Sequence, residues 1–320
     1  MEFGKVQHIH NIDFTLPPDD PVTEELWRRL KGRPVEPLRI YVGGTEWGRT
    51  SWVGTVYPQG TKQKDFLASY AKQFNTVELN TIYYGLPTAD TVRRWASAVD
   101  EQFRFCPKFP EVISHQQMLK GSLAETEAFV ERMHEFGSNL GPSFLQLSDR
   151  FGPDQAGALQ AYARHLPQGF QACVELRSED WFKSGDAPGA SSGAAGFNSG
   201  AIRDTYQQLL DAGVGTVITD VAGRRDVLHM RMTTPVAFIR FVTNSLHPTD
   251  YQRADAWIDR IGVWAARGLQ AVYLFVHSPE ELTSPEMMRY LISRMNECYG
   301  LSMPVPRLIN GGRPGNLSLF

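Results

Sequence analysis

The chain has 320 residues, of which 42% are hydrophobic, which is enough for one large domain with a sizeable core or for two ordinary domains. Its formal charge of -3 argues against a protein that binds polyanions through its overall charge. The three cysteines are too few and too widely spaced for a disulfide framework or a structural zinc site. No apolar run reaches the ~20 residues of a membrane span, and the first residues lack the pattern of a signal peptide. These features predict a cytoplasmic protein.

The first 36 residues are predicted to form an irregular N-terminal extension that contains one short helix, residues 22–30. From residue 38 onward, short apolar runs rich in β-branched and aromatic residues alternate with segments of helical periodicity. The runs predict eight strands, at 38–43, 76–80, 104–108, 143–147, 171–177, 215–220, 235–241 and 271–277. Helices are predicted between them at 62–74, 89–99, 124–140, 154–165, 201–212 and 250–267, with a last helix at 285–299.

Eight strands that alternate with helices predict an α/β fold, a closed (β/α)8 barrel of the TIM type that forms a single domain over residues 37–303. Residues 304–320 are expected to be a C-terminal tail. The turn at residues 43–48 lacks the Gly-x-Gly-x-x-Gly spacing of a dinucleotide-binding sheet, and the chain has no P-loop, so we expect neither a nicotinamide nor a flavin cofactor. Residues 183–200, rich in glycine, serine and alanine, predict a flexible insert, either a lid or a neutral insertion.

Several predicted strands end in a charged or amide side chain. Burying one unpaired charge costs several kcal/mol, and the carboxyl ends of the strands meet at one edge of a barrel, so this repeated placement predicts a functional site there. The acidic candidates are Glu78, Glu175 and Asp220, at the ends of the second, fifth and sixth strands. We predict catalytic roles for all three. Paired carboxylates can perform acid–base catalysis or bind one divalent cation such as Mg²⁺ or Mn²⁺, and both chemistries remain open.

Three cationic side chains, Lys108, Arg177 and Arg240, are predicted at the same edge. Arginine binds phosphate and carboxylate groups in a bidentate manner, so these residues indicate an anionic ligand rather than an uncharged sugar. The alternative is a structural network in which they pair with the acidic candidates. Gln146, in the fourth strand, is a further candidate for substrate binding.

Two histidines lie at the predicted site: His277 ends the eighth strand and His115 follows the third. Histidine serves as a general base or a metal ligand, and we predict a catalytic role for His277 and a substrate-binding role for His115. Two histidines are too few for a three-zinc centre. Trp47, directly after the first strand, is expected to stack on a ligand ring. The other aromatic residues of these loops can also stack on a ligand or pack over the core, and they are Trp52, Tyr57, Tyr83, Tyr84 and Trp181. For Trp52 and Trp181 we favour packing.

Several segments of the chain carry the order and spacing of a known family. They read YVGGTEW at 41–47, WVGTVYP at 52–58, FNTVELN at 74–80, FRFCPK at 103–108 and VELR at 174–177. In these segments the chain resembles the YecE-like family, domain of unknown function 72, and the resemblance implies a TIM-type barrel but no particular reaction. Many members carry His-Gly after the seventh strand and Phe-Asn-Asn after the eighth. This chain has VTN at 242–244 and FVHS at 275–278, so the usual amides are missing and His277 gains a candidate role.

Three functions remain open from the sequence. The favoured one is a hydrolase-like enzyme that acts on an anionic small molecule, such as a sugar phosphate or a phosphodiester, with a sugar-isomerase-like enzyme as its alternative. The second is a non-catalytic protein that binds a nucleotide, a nucleic acid or a sugar phosphate, and the near-neutral charge makes nucleic acid the less favoured ligand. The third is a scaffold, for which the sequence offers no positive feature, and the oligomeric state is left open.

Overall fold

The computed structural model describes residues 6, 8–34, 38–183, 195–279 and 283–309. Within these residues, eight parallel strands form one sheet. They are β1 (Arg39–Gly44), β2 (Thr76–Leu79), β3 (Arg104–Pro107), β4 (Ser143–Gln146), β5 (Ala172–Glu175), β6 (Gly215–Asp220), β7 (Val236–Val242) and β8 (Ala271–His277). Neighbouring strands follow the order β3-β2-β1-β8-β7-β6-β5-β4, and isolated bridges between β3 and β4 close the ring. The predicted (β/α)8 barrel is confirmed.

Helices surround these strands. They are α1 (Pro21–Leu30), α2 (Phe66–Ala71), α3 (Ala89–Ala96), α4 (Leu123–His134), α5 (Ala156–His165), α6 (Ala195–Ala212), α7 (Pro248–Ala265) and α8 (Ser284–Tyr299). Helix α4 ends at His134 rather than at residue 140, because the chain turns at Gly137, whose φ of 56° is left-handed. Helix α6 begins at residue 195 rather than 201, and residues 184–194 of the predicted insert lie outside the described part of the chain. No helix among the described residues is long and apolar enough to cross a lipid bilayer.

Both faces of the barrel strands are buried, which is why the strands stand out in the sequence as nearly continuous apolar runs. One cluster of side chains fills the barrel interior, and a larger one packs the helices against the outside of the strands. The interior cluster consists of Tyr41, Cys106, Phe144, Cys173, Val217, Phe238, Ala271, Tyr273 and Phe275. It supports the polar side chains at the carboxyl ends of the strands.

The N-terminal segment is fastened to the outside of the barrel through α7. Asp19 accepts a hydrogen bond from the indole Nε1 of Trp264 at 3.0 Å. The Phe14 ring lies 5.2 Å from the guanidinium carbon of Arg253. These contacts tie the segment to the barrel, and the predicted domain bounds at residues 36 and 303 stay predictions.

Strands β3 and β4 meet where the barrel closes, at what we call the seam. Isolated bridges join them there, with one backbone hydrogen bond from Gly141 N to Phe105 O (2.8 Å) and another from Phe109 N to Phe144 O (2.9 Å). Gly141 permits this approach, because a Cβ atom at that position would come within 2.7 Å of the Cys106 Sγ atom. The seam is therefore a close contact with few backbone hydrogen bonds.

Candidate active site

Arg240, on β7, lies between Glu78 on β2 and Glu175 on β5, and we call these three residues the charge cluster. The Nε and Nη2 atoms of Arg240 donate to the two carboxylate oxygens of Glu78, at 2.9 and 3.1 Å. Its Nη1 atom donates to both oxygens of Glu175, at 3.1 and 2.9 Å. All three side chains are buried, and the guanidinium lies 5.6 Å from the centre of the Phe144 ring. Two carboxylates thus share one guanidinium away from water.

The Glu78 carboxylate has two further partners. Asn80 Nδ2 donates to Oε1 at 2.9 Å, and Nε2 of His277, the last residue of β8, lies 3.1 Å from Oε2. Burial alone would raise the pKa of Glu78, but Arg240 and His277 together lower that pKa well below its usual range. Glu78 is therefore ionised at neutral pH.

The Glu175 carboxylate has three further donors. Thr219 Oγ1 and Arg177 Nε donate to its Oε1 atom, each at 3.0 Å, and Gln146 Nε2 donates to Oε2 at 2.7 Å. Burial favours the protonated form, but Arg177 and Arg240 lower the pKa of Glu175 to about 2. Glu175 is also ionised at neutral pH, and protein donors occupy both of its oxygens.

Lys108, directly after β3, differs from the arginines of the site in its partners. Its Nζ atom donates to Gln146 Oε1 at 2.8 Å and lies 4.2 Å from the centre of the Tyr83 ring. Among the described residues, no carboxylate is within ion-pair distance of Nζ. The residue is only 9% exposed. Burial, reinforced by the charge of Arg240, lowers the pKa of Lys108 to about 8.

Aromatic side chains border the site on the Lys108 side. The Tyr83 ring is edge-on to the rings of His115 and Tyr84, with centroids 5.5 and 5.1 Å away. His115 lies in a π-helical turn, Val112–Gln116, a local structure often found at functional sites. Burial first, and the charge of Lys108 second, lower the pKa of His115. Tyr84 is 84% exposed, so this border is open to solvent at its outer end.

Asp220 points away from the charge cluster. Successive residues of a strand face opposite sides, and the inward position on β6 belongs to Thr219, which pairs in register with Arg240. The Asp220 carboxylate instead faces α7, where Arg253 Nη2 lies 2.9 Å from Oδ1 and Trp257 Nε1 donates to Oδ2 at 2.7 Å. The structure therefore does not bring this predicted catalytic residue together with the two glutamates.

We expect Asp220→Asn to lower the free energy of unfolding by about 2–3 kcal/mol, because it removes the negative charge beside the buried guanidinium of Arg253. Sulfate serves here as a probe of the anionic ligand predicted from Lys108, Arg177 and Arg240, and its affinity should stay the same. Urea denaturation and isothermal titration calorimetry measure the two quantities. The control is Asp226→Asn, which removes an exposed carboxylate on the following turn and should cost less than about 0.5 kcal/mol. A loss of sulfate affinity in Asp220→Asn would contradict the separation of Asp220 from the site.

Trp47 packs in the layer between the strands and the helices. Its ring is edge-on to those of Trp95 and Phe105, with centroids 5.6 and 6.2 Å away. Trp52 and Trp181, for which packing is the favoured prediction, are fully buried in the core. Stacking of Trp47 on a ligand stays a prediction, and the structure places the ring outside the charge cluster.

The carboxylates of the site do not fit a divalent cation. Within the part of the chain that the structure describes, no group of three or more His, Cys, Asp or Glu side chains could hold a metal ion. The oxygens of Glu78 and Glu175 already accept hydrogen bonds from guanidinium and amide groups, and a cation would have to displace Arg240. We assign no chemical step to the predicted Mg²⁺ or Mn²⁺.

Three residues of the site have no individual role in the sequence-based prediction. Asn80 and Thr219 donate to the carboxylates, and Tyr83 lies under the Lys108 amine. A sequence signal exists for Asn80, because it follows Glu78 by two positions and alternation places both on the same face. Thr219 becomes apparent only from the strand register. Tyr83 is already among the aromatic stacking candidates, but only the fold of its loop places it beside Lys108.

Comparison with known proteins identifies the family. The family model described as "Protein of unknown function DUF72" matches residues 41–308. The chain belongs to the DUF72 family. Among its DUF72 relatives, UPF0759 protein YecE of Escherichia coli K12 is 29% identical over 270 residues, which cover 79% of this chain and 91% of YecE. UPF0759 protein YunF of Bacillus subtilis is 30% identical over 79 residues, which cover 24% of this chain and 27% of YunF.

Solved structures of DUF72 proteins share the barrel. The DUF72 protein of Enterococcus faecalis aligns with a TM-score of 0.61 and 19% identity, covering 84% of this chain and 100% of its own. The DUF72 protein of Thermotoga maritima aligns with a TM-score of 0.61 and 20% identity, covering 81% and 99%. These likenesses confirm the fold, and the family-model match confirms the predicted family resemblance. None of these names states a reaction, so the activity has to be argued from the site.

Proposed function

We propose that the protein is a hydrolase that acts on an anionic ester, such as a phosphodiester or a sugar phosphate, at the mouth of its barrel. One observation carries the proposal: a continuous chain of hydrogen bonds links a lysine to a histidine across the mouth, and each link is 3.1 Å or shorter. Its members, in order, are Lys108, Gln146, Glu175, Arg240, Glu78 and His277. The chain connects a group that can bind an anion to a group that can move a proton.

The charges of the site favour an anionic ligand. Lys108, Arg177 and Arg240 carry three positive charges. Glu78 and Glu175 carry two negative charges, so the site has a positive excess. Arg240 directs four hydrogen bonds to the carboxylates, whereas the Arg177 side chain is 16% exposed. In the proposed reaction Arg177 and Lys108 bind the anionic group of the substrate.

His277 is the proposed general base. The ionised Glu78 carboxylate can only accept a hydrogen bond, so in the neutral imidazole form of His277 the ring hydrogen is on Nε2 and the lone pair is on Nδ1. The His277 side chain is 15% exposed, so it is partly open to solvent. In the proposed reaction Nδ1 removes a proton from water as the water attacks the ester. The ester bond to the leaving oxygen breaks, and that oxygen takes the proton from Nδ1 as it departs. Lys108 and Arg177 stabilise the oxygens on which negative charge increases.

This proposal changes the roles predicted for two residues. Glu78 is a positioning residue for His277, and Glu175 together with Arg240 holds the cationic side of the site in place. Neither carboxyl donates a proton, because both are ionised at neutral pH. His115, beside Tyr83, keeps its predicted role in substrate binding.

A panel of substrates tests the proposed hydrolysis. The full chain is assayed with chromogenic phosphomonoesters, phosphodiesters and carboxylic esters and with sugar phosphates, each with and without Mg²⁺. We expect turnover of an anionic ester that exceeds turnover of a neutral ester with the same leaving group. Binding of sulfate without turnover of any ester would favour the non-catalytic alternative. Interconversion of an aldose phosphate and a ketose phosphate would favour the isomerase. Either result would overturn hydrolysis.

The affinity for sulfate should fall as the pH rises through about 8. The ammonium form of Lys108 is present below its pKa of about 8 and is lost above it, whereas sulfate keeps its charge throughout. We expect the dissociation constant to rise about fivefold between pH 8 and 9, as isothermal titration calorimetry can measure. Lys108→Arg keeps its charge at these pH values and should flatten the profile. An equally steep profile in Lys108→Arg would show that another group controls binding.

A further inference from the structure

We infer that Lys108 is a covalent site, at which the amine condenses with the aldehyde or ketone group of an anionic ligand to form an imine. The inference goes beyond the proposed hydrolysis. It rests on the proposed function only in using Arg177 to hold the anionic group of the ligand.

The partners of the Lys108 amine set it apart from other buried cations of the barrel. Arg240 and Arg253 each pair with two carboxylates. The amine instead donates to the neutral amide oxygen of Gln146 and lies over the Tyr83 ring. An amide oxygen accepts a hydrogen bond from an amine as well as from an ammonium group. This hydrogen bond can therefore form with the neutral amine of Lys108, which can attack a carbonyl, as well as with the ammonium form, which cannot.

Some groups around the Lys108 Nζ atom favour the neutral amine, and others favour the ammonium form. Burial has the largest effect, Arg240 and Arg177 repel the ammonium form, and Glu175 and Glu78 attract it. The Tyr83 face also favours the ammonium form modestly. With a pKa of about 8, about one amine in ten is neutral at pH 7, against fewer than about one in a thousand for an exposed lysine. Lysines that are buried beside another cation are the ones that act as nucleophiles on carbonyl groups.

The covalent step needs only the amine and the ligand. The Nζ lone pair attacks the carbonyl carbon to give a carbinolamine, and the carbonyl oxygen then leaves as water. That water takes both hydrogens of the neutral amine, and a C=N bond replaces the C=O bond. Gln146 Oε1 accepts one N–H at 2.8 Å, which directs the lone pair away from that oxygen. Arg177 lies on the same hydrogen-bonded network through Glu175 and offers the guanidinium for the anionic group.

Reductive trapping of the full-length protein tests the inference. Glyoxylate, a small aldehyde that carries a carboxylate, is added with sodium cyanoborohydride at pH 7, and peptide mass spectrometry follows each lysine over time. We expect Lys108 to be carboxymethylated about tenfold faster than the exposed Lys64 and Lys120. Formaldehyde, a neutral aldehyde, should show a smaller preference. Arg177→Gln should slow trapping by glyoxylate more than trapping by formaldehyde, because Arg177 repels the ammonium form of Lys108 in both reactions but holds an anionic group only in the first.

Two further results decide the outcome. Lys108→Arg should abolish the modified peptide, and circular dichroism shows whether the variant is folded. A rate at Lys108 equal to or below the rates at Lys64 and Lys120 overturns the inference, whether or not an ester is hydrolysed. Fast trapping at Lys108 without turnover of any ester supports the inference and overturns the proposed hydrolysis, so the two proposals fail separately.

Discussion

Replacing Arg240 with methionine is expected to lower the free energy of unfolding by about 3–5 kcal/mol. The substitution keeps much of the side-chain volume, but it leaves Glu78 and Glu175 as buried carboxylates with no guanidinium between them. The free energy of unfolding of a typical protein is about 5–15 kcal/mol, so a loss of this size is a large part of it. Urea denaturation at pH 7, followed by circular dichroism, measures it.

Arg39→Met is the matched control, because Arg39 begins a barrel strand with an exposed side chain. It should change the free energy of unfolding by less than about 0.5 kcal/mol. Adding Glu78→Gln to Arg240→Met should recover part of the loss, because one of the two uncompensated charges is then removed. If Arg240→Met costs no more than Arg39→Met, the charge cluster does not stabilise the fold as argued.

His277→Gln is expected to lower kcat by about 10²–10⁴-fold on the ester that the substrate panel identifies. Glutamine keeps an N–H group for the Glu78 carboxylate, but it has no ring nitrogen that can take a proton from water. KM should change by less than about threefold, because Lys108 and Arg177 still bind the anionic group. Steady-state kinetics at several pH values, with circular dichroism to verify folding, provide the measurement.

His165→Gln serves as the control for this substitution. His165 is the last residue of α5, on the surface, where its Nδ1 atom lies 2.7 Å from the carbonyl oxygen of Ala161. We expect kcat to change by less than about twofold. A rise in KM with unchanged kcat in His277→Gln would assign His277 to substrate binding and would reject it as the general base.

The strand positions are predictable from the sequence because the barrel buries both faces of each strand. Strands β6 and β8 have the predicted bounds, Gly215–Asp220 and Ala271–His277. Helix ends are less predictable, because a helical period continues through residues that form tighter turns. Residues 63–65 form a 3₁₀ turn before α2, and the chain turns at Gly137 after α4.

The meeting of charges at one edge of the barrel is also predictable, but the direction of each side chain is not. Glu78, Glu175 and Arg240 come together as expected from their positions at strand ends. On β6, either Thr219 or the adjacent Asp220 could point into the barrel. Only the register with β7, which pairs Thr219 with Arg240, shows that Thr219 is the inward residue. The β6 residues before Thr219 are buried on both faces of the strand. The sequence therefore shows no alternation of apolar and polar residues that would tell which of the two side chains points inward.

The seam between β3 and β4 passes through the candidate active site, with Lys108 on one side and Gln146 on the other. All other neighbouring strands of the barrel form ladders, whereas isolated bridges join these two. Because this junction lacks a continuous ladder, we expect local opening of the barrel to begin here, and each opening separates the amine from the amide that orients it. A ligand that contacts both Lys108 and Gln146 holds the two sides of the seam together. Occupancy of the site and closure of the barrel are then thermodynamically linked, so each favours the other.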